Sequence, residues 1–558
     1  MTGPLLAWTF GLFVASPAFL PPAPQDGKDV QVSTPSTARQ CDADLKVDPN
    51  DRLHLIAGAE DWRSGATNCA YYASFDGGLT WAENFFTDPD GLGHAKSPCV
   101  AFGPNGEAYF VAAAYDQVFY HSTLYLGTST DGGATIGSWV AVTSKWATLQ
   151  YYDDSPRMVV DTSNGAYRGA IYVAFRHIGG GGGLAPNLAR STDGGLTWDL
   201  LGGFTDSNYC EGLGMVVGLN SELFVGYYDF NDSTIKVATS TDSGTTWGTD
   251  VKVCDAPFLG LVPHNAFQTN SYPSMAIDRS GGPYAGQLYV CFASDFASGS
   301  GADVYVSTSA DGGATWSALT MVNDDGTWRS QFFPSMDVDA NGHVDVGFYD
   351  RRDDKKNVAV RYYVARSSDG GATFQRNRPV SDVSTDFTAY PQGAYIGDYT
   401  SVACTDRTLH AMWTDGRAGD DDVYTSPVNL GLSTDTATIS AASGGTVSFA
   451  LDAGPLYGSA SYWLLGTVSG TSPGFQLHGV DVPINFDAFT LLTITNANTS
   501  SLPGFAGTLG TNGGATASLV APPLPPALIG LPMDFAFLVK SGGAVRWASD
   551  PTHLEIVP

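Results

Sequence analysis

Short apolar runs separated by turn-forming residues recur along most of the chain. One such unit runs from Ser274-Met-Ala-Ile-Asp278 through Gly281-Gly282 to Gln287-Leu-Tyr-Val-Cys-Phe292. The same layout returns in Val159-Val-Asp161 with Ile171–Phe175, and in Met336–Asp339 with Val344–Tyr349. Alternating apolar and polar positions bounded by glycine predict antiparallel strands joined by tight turns. The pattern therefore predicts an all-β protein.

An octapeptide of the form Ser-x-Asp-x-Gly-x-Thr-Trp follows these runs and occurs six times, with Ile136 or Phe374 replacing the Trp in two copies. Its Ser and Asp side chains can accept hydrogen bonds from turn amides, and glycine supplies the positive φ that a tight turn needs. We interpret each copy as a structural hairpin between the third and fourth strands of a four-stranded unit. The aspartates concerned are structural, not catalytic: Asp76, Asp131, Asp193, Asp242, Asp311 and Asp369.

Counting first strands instead of octapeptides gives seven units, starting near Cys41, Cys99, Arg157, Glu211, Ser274, Ser335 and Tyr399. The seventh unit has no octapeptide and no evident fourth strand, but the isolated segment Asp29-Val-Gln-Val-Ser33 can supply one and close a ring. We therefore expect a seven-bladed β-propeller with four-stranded blades over residues 29–430, with a six-bladed propeller as the alternative. Residues 431–558, which hold short apolar runs and no cysteine, predict a C-terminal β-sandwich.

Composition narrows the functional class. The chain has 56 acidic against 27 basic residues and a net charge of −29. This balance argues against nucleic acid or an anionic membrane as the main partner, since both require a basic surface. Only 6 of the 56 acids are Glu, which fits a chain rich in turns because Asp favours turns and caps.

The amino terminus and the cysteines predict an extracytoplasmic protein. Leu5–Val14 is a short apolar run followed by Ala15-Ser-Pro-Ala18, typical of a signal peptide that ends near residue 18. No later stretch reaches the length that spans a bilayer, so we expect a secreted or cell-surface protein without a membrane span. Seven cysteines are compatible with one to three disulfides and at least one unpaired thiol. A zinc site has almost no support, because there is no Cys-x-x-Cys and the nine histidines are scattered.

Candidate functional residues follow from propeller geometry. Ligands of a propeller meet the face formed by the ends of the second strands and the starts of the first strands. In this sequence that face collects Arg and Asp together with aromatic residues, including Arg176, Tyr209 and Tyr272. Arg binds carboxylates in a bidentate manner, and Asp and Glu accept sugar hydroxyls or transfer protons. We select Asp154, Glu211 and Asp398 as acids or bases, Tyr399 as a nucleophile, and Arg63, Arg157, Arg351 and Arg417 as substrate binders. The alternative for each of them is a salt bridge between blades.

The six octapeptides resemble the Asp-box, or bacterial neuraminidase repeat, of the sialidase superfamily of β-propellers. Phe333-Pro-Ser-Met-Asp-Val-Asp339 and Ile396-Gly-Asp-Tyr399 also look like secreted bacterial proteins of the exo-α-sialidase-like type. The resemblance implies a glycoside hydrolase with three arginines, a Tyr nucleophile activated by Glu, and an Asp acid/base. The Arg-Ile-Pro motif of sialidases is absent. Two functions therefore remain open: hydrolysis of extracellular glycans, and binding of a glycan or protein without catalysis.

Two segments have the composition of a calcium site, although no cofactor is required by the sequence. Asp337-x-Asp339-x-Asn341-Gly342 resembles the start of an EF-hand loop, but Phe348 stands where the loop needs Glu. We therefore favour a hairpin there. The run Asp415–Asp422 is the better calcium candidate, since it has four acids around two glycines. Oligomeric state does not follow from the sequence.

Overall fold

The computed structural model describes residues 29–558 apart from 119–120, 144–150, 180–182, 261–266, 297–300, 376, 388–394, 406–407, 437, 454–456, 472 and 512. The predicted signal peptide lies outside the described residues. The chain is all-β, as predicted. Up to residue 429 the strands are β1 (Val30–Gln31), β2 (Gln40–Asp48), β3 (Asp51–Asp61), β4 (Asn68–Ser74), β5 (Ala82–Phe85), β6 (His94–Phe102), β7 (Ala108–Tyr115), β8 (Ser122–Ser129), β9 (Trp139–Ala141), β10 (Tyr151–Val160), β11 (Ile171–Gly179), β12 (Gly183–Ser191), β13 (Asp199–Gly203), β14 (Cys210–Val217), β15 (Leu223–Asp229), β16 (Thr234–Ser240), β17 (Val251–Asp255), β18 (Ser274–Ile277), β19 (Leu288–Ser294), β20 (Asp303–Ser309), β21 (Thr320–Met321), β22 (Gln331–Val338), β23 (Val344–Asp350), β24 (Arg361–Ser367), β25 (Arg378–Pro379), β26 (Ser401–Cys404), β27 (Thr408–Asp415) and β28 (Asp422–Asn429).

These strands form four-stranded antiparallel sheets in the described residues. Six of them are consecutive in the chain: β2–β5, β6–β9, β10–β13, β14–β17, β18–β21 and β22–β25. The seventh has the order β1-β28-β27-β26, so the amino-terminal strand supplies its fourth member. Val30 lies opposite Thr425, and Gln31 lies opposite Tyr424. First strands of successive sheets contact one another, and β26 contacts β2, so the sheets form a closed ring.

Hydrophobic residues fill the spaces between neighbouring sheets. One such cluster joins Val111 and Leu126 of the second sheet to Met158 and Ile171 of the third. Another joins Ala57 and Tyr72 of the first sheet to Met412 of the seventh. Burial between sheets explains why the second strands are apolar on both faces, since each lies in the middle of its sheet and packs against both neighbours.

Each octapeptide forms the turn between the third and fourth strands. In the first copy, the Asp76 carboxylate accepts hydrogen bonds from the amides of Leu79 and Thr80 and from the hydroxyls of Ser74 and Thr80. The Ser74 hydroxyl in turn accepts the amide of Gly78, whose φ is +88°. The other copies repeat the Ser–Asp and Thr–Asp bonds. These bonds hold the pKa of Asp131, Asp193 and Asp311 down at about 2.

The cysteines do not form the disulfides that the sequence analysis expected. All seven are free thiols, and none forms a disulfide in the described residues. Cys41 on β2 and Cys69 on β4 both lie opposite Glu60 on the intervening strand β3. Two strand spacings separate them by about 10 Å, whereas a disulfide needs Cα atoms within about 7 Å. Burial raises the pKa of both thiols.

The first calcium candidate is a hairpin. The Asp339 carboxylate accepts the amides of Asn341 and His343 and lies 3.2 Å from the Arg366 guanidinium. Its oxygens are therefore occupied by the turn and by an ion pair.

Residues beyond 430 form separate sheets. Their elements are β29 (Leu432–Thr434), β30 (Thr438–Ser440), β31 (Gly445–Asp452), β32 (Ser461–Thr467), β33 (Phe475–Leu477), β34 (Val480–Val482), α1 (Ala488–Thr495), β35 (Ala506–Thr508), β36 (Gly514–Ala521), a 3-10 turn (Pro526–Leu528), β37 (Pro532–Ser541), β38 (Ala544–Ala548) and β39 (Thr552–Val557). The sheet β29-β31-β36 and the sheet β30-β39-β37-β32-β35 share a core that includes Phe449, Phe505 and Phe535. In the described part of the chain no helix is long and apolar enough to cross a membrane.

Candidate functional site

A cavity of about 950 Å³ runs along the axis of the ring and is lined by the first strands of the sheets. Arg157, Tyr272, Asp398 and Tyr399 line the part near the starts of these strands. Asn50 and Ala340, on hairpins that follow first strands, line the other part. Of the residues selected from the sequence, Arg157, Asp398 and Tyr399 therefore face this cavity.

A repeated irregularity shapes the rim of the cavity. The pairing of the first and second strands shifts register at the same place in five sheets, between Cys41/Asp44, Lys96/Cys99, Asp154/Arg157, Glu211/Gly214 and Phe332/Ser335. A residue with positive φ sits inside each shift: Asp42, Ser97, Ser155, Gly212 and Phe333. Three of these precede proline, where such a conformation is disfavoured. The shifts are β-bulges, which redirect side chains at rims and sites.

The bulges also explain why three first strands begin before the predicted positions. β6, β10 and β22 start at His94, Tyr151 and Gln331 because pairing resumes on the far side of the bulge. Sequence periodicity breaks at a bulge, so only the regular half of each strand was recognised.

Asp154 lies in an ion network at this rim. Its carboxylate is 3.0 Å from the Lys96 ammonium and 2.6 Å from the Arg176 guanidinium, and it accepts the Tyr152 hydroxyl at 2.8 Å. Burial opposes ionisation of Asp154, but the charges of Lys96 and Arg176 outweigh it and hold its pKa well below the usual range. The two cations therefore favour the ionised form of Asp154.

Arg176 connects Asp154 to a second acid. Its other terminal nitrogen donates to the Glu211 carboxylate. The second oxygen of Glu211 accepts the hydroxyl of Tyr272, a side chain that lines the cavity. Burial, followed by the negative charge of Glu211, raises the pKa of Tyr272 well above its usual value. The result is a tyrosine hydroxyl held by a carboxylate that is itself oriented by an arginine.

Asp398 lies near Tyr272 and Glu211 in a group of buried acids that includes Asp42 and Glu60, and none of these three forms an ion pair among the described residues. Its Oδ2 accepts the Tyr395 hydroxyl at 3.0 Å, and the same hydroxyl lies 2.9 Å from Oδ2 of Asp42. Asn270 donates to Asp398 Oδ1 at 3.1 Å, and the amide of Asp398 donates to Asp42. Burial and the charge of Asp42 raise the pKa of Asp398 to about 7. Burial and Asp42 likewise raise the pKa of Glu60 to about 8.

Tyr399 is held against a cation. The Arg157 guanidinium carbon lies 3.6 Å from the centroid of its ring. Burial raises the pKa of Tyr399 to about 12, with Arg157 opposing the rise. The rings of Tyr399 and Tyr272 are 6.0 Å apart. Asp154, Glu211, Asp398, Tyr399 and Arg157 thus converge on one part of the rim.

Arg63 and Arg417 do not line the cavity. Arg63 contacts the Asp61 carboxylate at 2.6 Å and Glu83 at 2.5 Å. Arg417 contacts Asp415 at 2.7 Å and Asp29 at 2.6 Å. Each arginine stands two residues after an Asp that ends a second strand, and it ties that strand to an acid on or beside the outermost strand. For these two arginines the structure favours the salt-bridge alternative.

Arg351 is also away from the cavity. It is fully buried, with its guanidinium carbon 4.9 Å above the Phe332 ring and 5.5 Å above Phe267. Its three side-chain nitrogens find no hydrogen-bond partner among the described residues. Burial lowers its pKa to about 9.

Sequence reasoning placed Tyr272 and Arg176 on the rim without selecting them, and it missed Lys96, Asp42 and Tyr395. It also missed a group of ligand atoms on Cys41, Asp42 and Glu60 that lie within 4.8 Å of one another. One sequence signal could have identified Tyr272 as a site residue. The pair Tyr272-Pro273 occupies the position that Ser97-Pro98 and Ser155-Pro156 occupy in their own units. The shared proline marks corresponding positions of the first strands.

Several solved structures match a large part of this chain at low sequence identity. An α-L-arabinanase from Penicillium chrysogenum is 15% identical with a TM-score of 0.41, covering 73% of this chain and 99% of that chain. An α-L-arabinofuranosidase from Fusarium graminearum is 16% identical with a TM-score of 0.40, covering 72% and 97%. A Hadza microbial sialidase is 14% identical with a TM-score of 0.39, covering 67% and 76%.

Sequence comparison is more direct. No curated protein is similar enough in sequence to count as a relative. Residues 223–397 match the family described as a BNR repeat-like domain. That range contains three of the six octapeptides, those of Asp242, Asp311 and Asp369. The resemblance inferred from the octapeptides is confirmed over that range: residues 223–397 of this chain carry a BNR repeat-like domain of the Asp-box type.

Proposed function

We propose that this protein is an exported seven-bladed propeller whose central cavity binds extracellular glycans and hydrolyses a glycosidic bond. Each four-stranded sheet is one blade in this proposal, and residues 431–558 form an appended β-sandwich. The observation that carries the enzymatic part is the hydrogen bond from the Tyr272 hydroxyl to Glu211 beside Asp398, at the rim of a 950 Å³ cavity.

Tyr272 and Glu211 have the arrangement of an activated nucleophile. The Tyr272 oxygen attacks the anomeric carbon of the bound sugar while the Glu211 carboxylate takes the phenolic proton. Arg176 keeps Glu211 oriented, and Asp154 and Lys96 keep Arg176 in place. This assigns the nucleophile to Tyr272 in place of Tyr399, because the Tyr272 hydroxyl donates to Glu211 whereas the Tyr399 ring faces the Arg157 guanidinium.

Asp398 is suited to proton transfer. A pKa of about 7 keeps a large fraction of this carboxyl protonated near neutral pH, so it can donate to the leaving oxygen. After the aglycone leaves, the same carboxylate accepts a proton from the water that hydrolyses the glycosyl–tyrosine bond. The contrast with Asp154, which stays ionised, separates the acid from the positioning residue.

Hydrolysis is tested with aryl glycosides, including sialosides and arabinofuranosides, and release of the aryl group is the quantity measured. Asp398→Asn is expected to lower kcat by about 100-fold or more, since general acid catalysis contributes that much. In the wild type, a fluorinated glycosyl fluoride is expected to label Tyr272, which mass spectrometry of the peptide containing this residue detects. Tyr272→Phe is expected to abolish both turnover and this labelling.

A matched control is available in another tyrosine–carboxylate pair. Tyr227 donates to Asp250 at 2.6 Å and does not line the cavity. Tyr227→Phe is expected to retain wild-type kcat. Loss of activity in Tyr227→Phe equal to that in Tyr272→Phe, or covalent labelling of Tyr399, contradicts the assignment.

The second candidate function is glycan binding without catalysis. It is favoured by the full pairing of Asp154 with Lys96 and Arg176, which leaves this acid no role in proton transfer. This second function is supported if the protein releases sugar from none of the aryl glycosides but binds glycans saturably, and if Arg157→Ala weakens that binding.

A further inference from the structure

Five aromatic side chains form a continuous row that leads from solvent to the central cavity. In order from the solvent side, they are Tyr209, Phe230, Phe258, Tyr272 and Tyr399, and the centroids of successive rings lie 4.9, 5.0, 6.2 and 6.0 Å apart. Tyr209 is 44% exposed, and the other four side chains are partly exposed. Tyr272 and Tyr399 line the cavity. These five side chains are called the aromatic row below.

The topology of the sheets explains why these side chains meet on one face. Tyr209 directly precedes the first strand β14, and Tyr272 stands two residues before the first strand β18. Phe230 directly follows the second strand β15, and Phe258 follows the fourth strand β17. Because neighbouring strands are antiparallel, first strands start at the same edge at which second and fourth strands end. The aromatic row therefore lies on the same face as the candidate site.

Exposed polar groups border the outer end of the aromatic row. Asn208 precedes Tyr209, and Asn231 and Asp232 follow Phe230; all three polar side chains are exposed. Partly exposed apolar rings bordered by polar groups are typical of a ligand-binding groove. A sugar matches this surface, because the C–H groups on the face of its ring pack on an aromatic ring while its hydroxyls bond to amides and carboxylates.

The charges beside the aromatic row favour a neutral ligand. The two lysines there are already paired, since Lys236 lies 2.8 Å from both Asp229 and Asp232, and Lys252 lies 2.5 Å from Asp255. Carboxylates thus outnumber ammonium groups at this place. A sugar chain that carries carboxylates or sulfates needs Arg or Lys to bind it, and these carboxylates repel it. A neutral sugar chain meets no such opposition.

We propose that the aromatic row binds a linear, neutral oligosaccharide and guides it into the central cavity. This inference rests on the proposed function and narrows its substrate class to neutral polysaccharide chains. Sugar units outside the cavity pack on Tyr209, Phe230 and Phe258, while the unit inside the cavity meets Tyr272. Continuity with the cavity favours a sugar chain over a protein segment, because one chain then contacts the outer rings and presents its glycosidic bond to Tyr272.

Binding of intact chains is measured by calorimetric titration of Asp398→Asn, in which turnover is suppressed. The probes are cello-, xylo- and arabino-oligosaccharides of one to six units, with oligogalacturonates of the same lengths as charged counterparts. We expect the affinity for at least one neutral series to rise with chain length and to level off once the chain covers the aromatic row. Oligogalacturonates are expected to bind at least about tenfold more weakly.

Tyr209 is the residue to change, because Phe230, Phe258 and Tyr272 also pack against the core between the sheets. In the Asp398→Asn background, Tyr209→Ala is expected to weaken binding of the longest chain about tenfold and to leave binding of the shortest chain unchanged. Tyr209→Phe keeps the ring and is expected to bind as its parent does.

Phe75→Ala is the matched control. Phe75 is 52% exposed, but it lies in the first octapeptide turn, on the opposite face of the sheets. This variant is expected to bind every chain as its parent does.

Four results overturn the proposal: affinity that does not change with chain length, tighter binding of oligogalacturonates than of every neutral series, parental affinity in Tyr209→Ala, or an equal loss in Phe75→Ala. Binding of no chain at all also overturns it, in favour of a partner of another class. Failure of the proposed hydrolysis is recognised separately. Length-dependent binding that Tyr209→Ala weakens, without release of aryl groups by the wild type, contradicts catalysis alone, and turnover without length-dependent binding contradicts the aromatic row alone.

Discussion

Replacing Asp398 by Asn should stabilise the protein at alkaline pH while removing its proposed acid. The pKa of Asp398 is raised from 3.8 to about 7 by burial and by the charge of Asp42. Between these values the native state binds more protons than the unfolded state, so the free energy of unfolding falls as pH rises. A shift of about three units corresponds to roughly 4 kcal/mol of stability, which is fully present below about pH 4 and is lost in full above about pH 7.

Asn at this position is neutral at every pH and keeps the polar contacts. Its amide oxygen can accept from Asn270 or Tyr395, and its NH₂ can donate to Asp42. Urea unfolding of wild type and Asp398→Asn at pH 5 and pH 8 measures the difference. We expect the variant to gain up to about 4 kcal/mol over the wild type at pH 8 and much less at pH 5.

Asp154→Asn is the matched control, because the pKa of Asp154 is shifted in the opposite direction from that of Asp398. The pKa of Asp154 is held below its usual range by Lys96 and Arg176, so its charge stabilises the native state above the unfolded pKa. Removing it takes away the carboxylate that Lys96 and Arg176 share, so Arg176 keeps only Glu211, and this should destabilise the protein at both pH values. Equal destabilisation of Asp398→Asn at pH 5 and pH 8 would refute the reasoning about Asp398.

Three further outcomes are expected. Asp76→Ala removes the acceptor of four turn hydrogen bonds and should lower the free energy of unfolding by about 1–2 kcal/mol in urea titrations, with little change in Asp76→Asn. Arg63→Ala leaves Asp61 buried and unpaired and should cost about 3 kcal/mol without changing KM, whereas Arg157→Ala should raise KM. Dithiothreitol should leave Tm unchanged, and thiol titration of the unfolded chain should find all seven cysteines free; a lower count would show that a disulfide forms.

The sequence by itself determined the repeating part of this protein. The octapeptide carries every donor and acceptor of its own turn within eight residues, so its structure and its structural role could be read without a fold. The alternating runs likewise predicted the strands of each unit, and the segment around Val30 was recognised as the missing strand of the last unit.

From the sequence, the candidate site could be predicted only to lie on one face of the propeller. Propeller geometry brought Asp154, Glu211, Asp398 and Arg157 to that face, but it did not show which acid is paired and which is not. Arg63 and Arg157 look alike in the sequence, yet one is held by Asp61 and Glu83 and the other faces Tyr399 in the cavity.

Tertiary structure decided the chemistry because the decisive contacts are non-local. Asp42 and Asp398 are 356 residues apart in the chain and meet only when the ring closes. Glu211 and Tyr272 are 61 residues apart and meet because their sheets are neighbours in the ring. Burial and opposing charges set the pKa of each acid, and both depend on packing between sheets, which no local sequence pattern encodes.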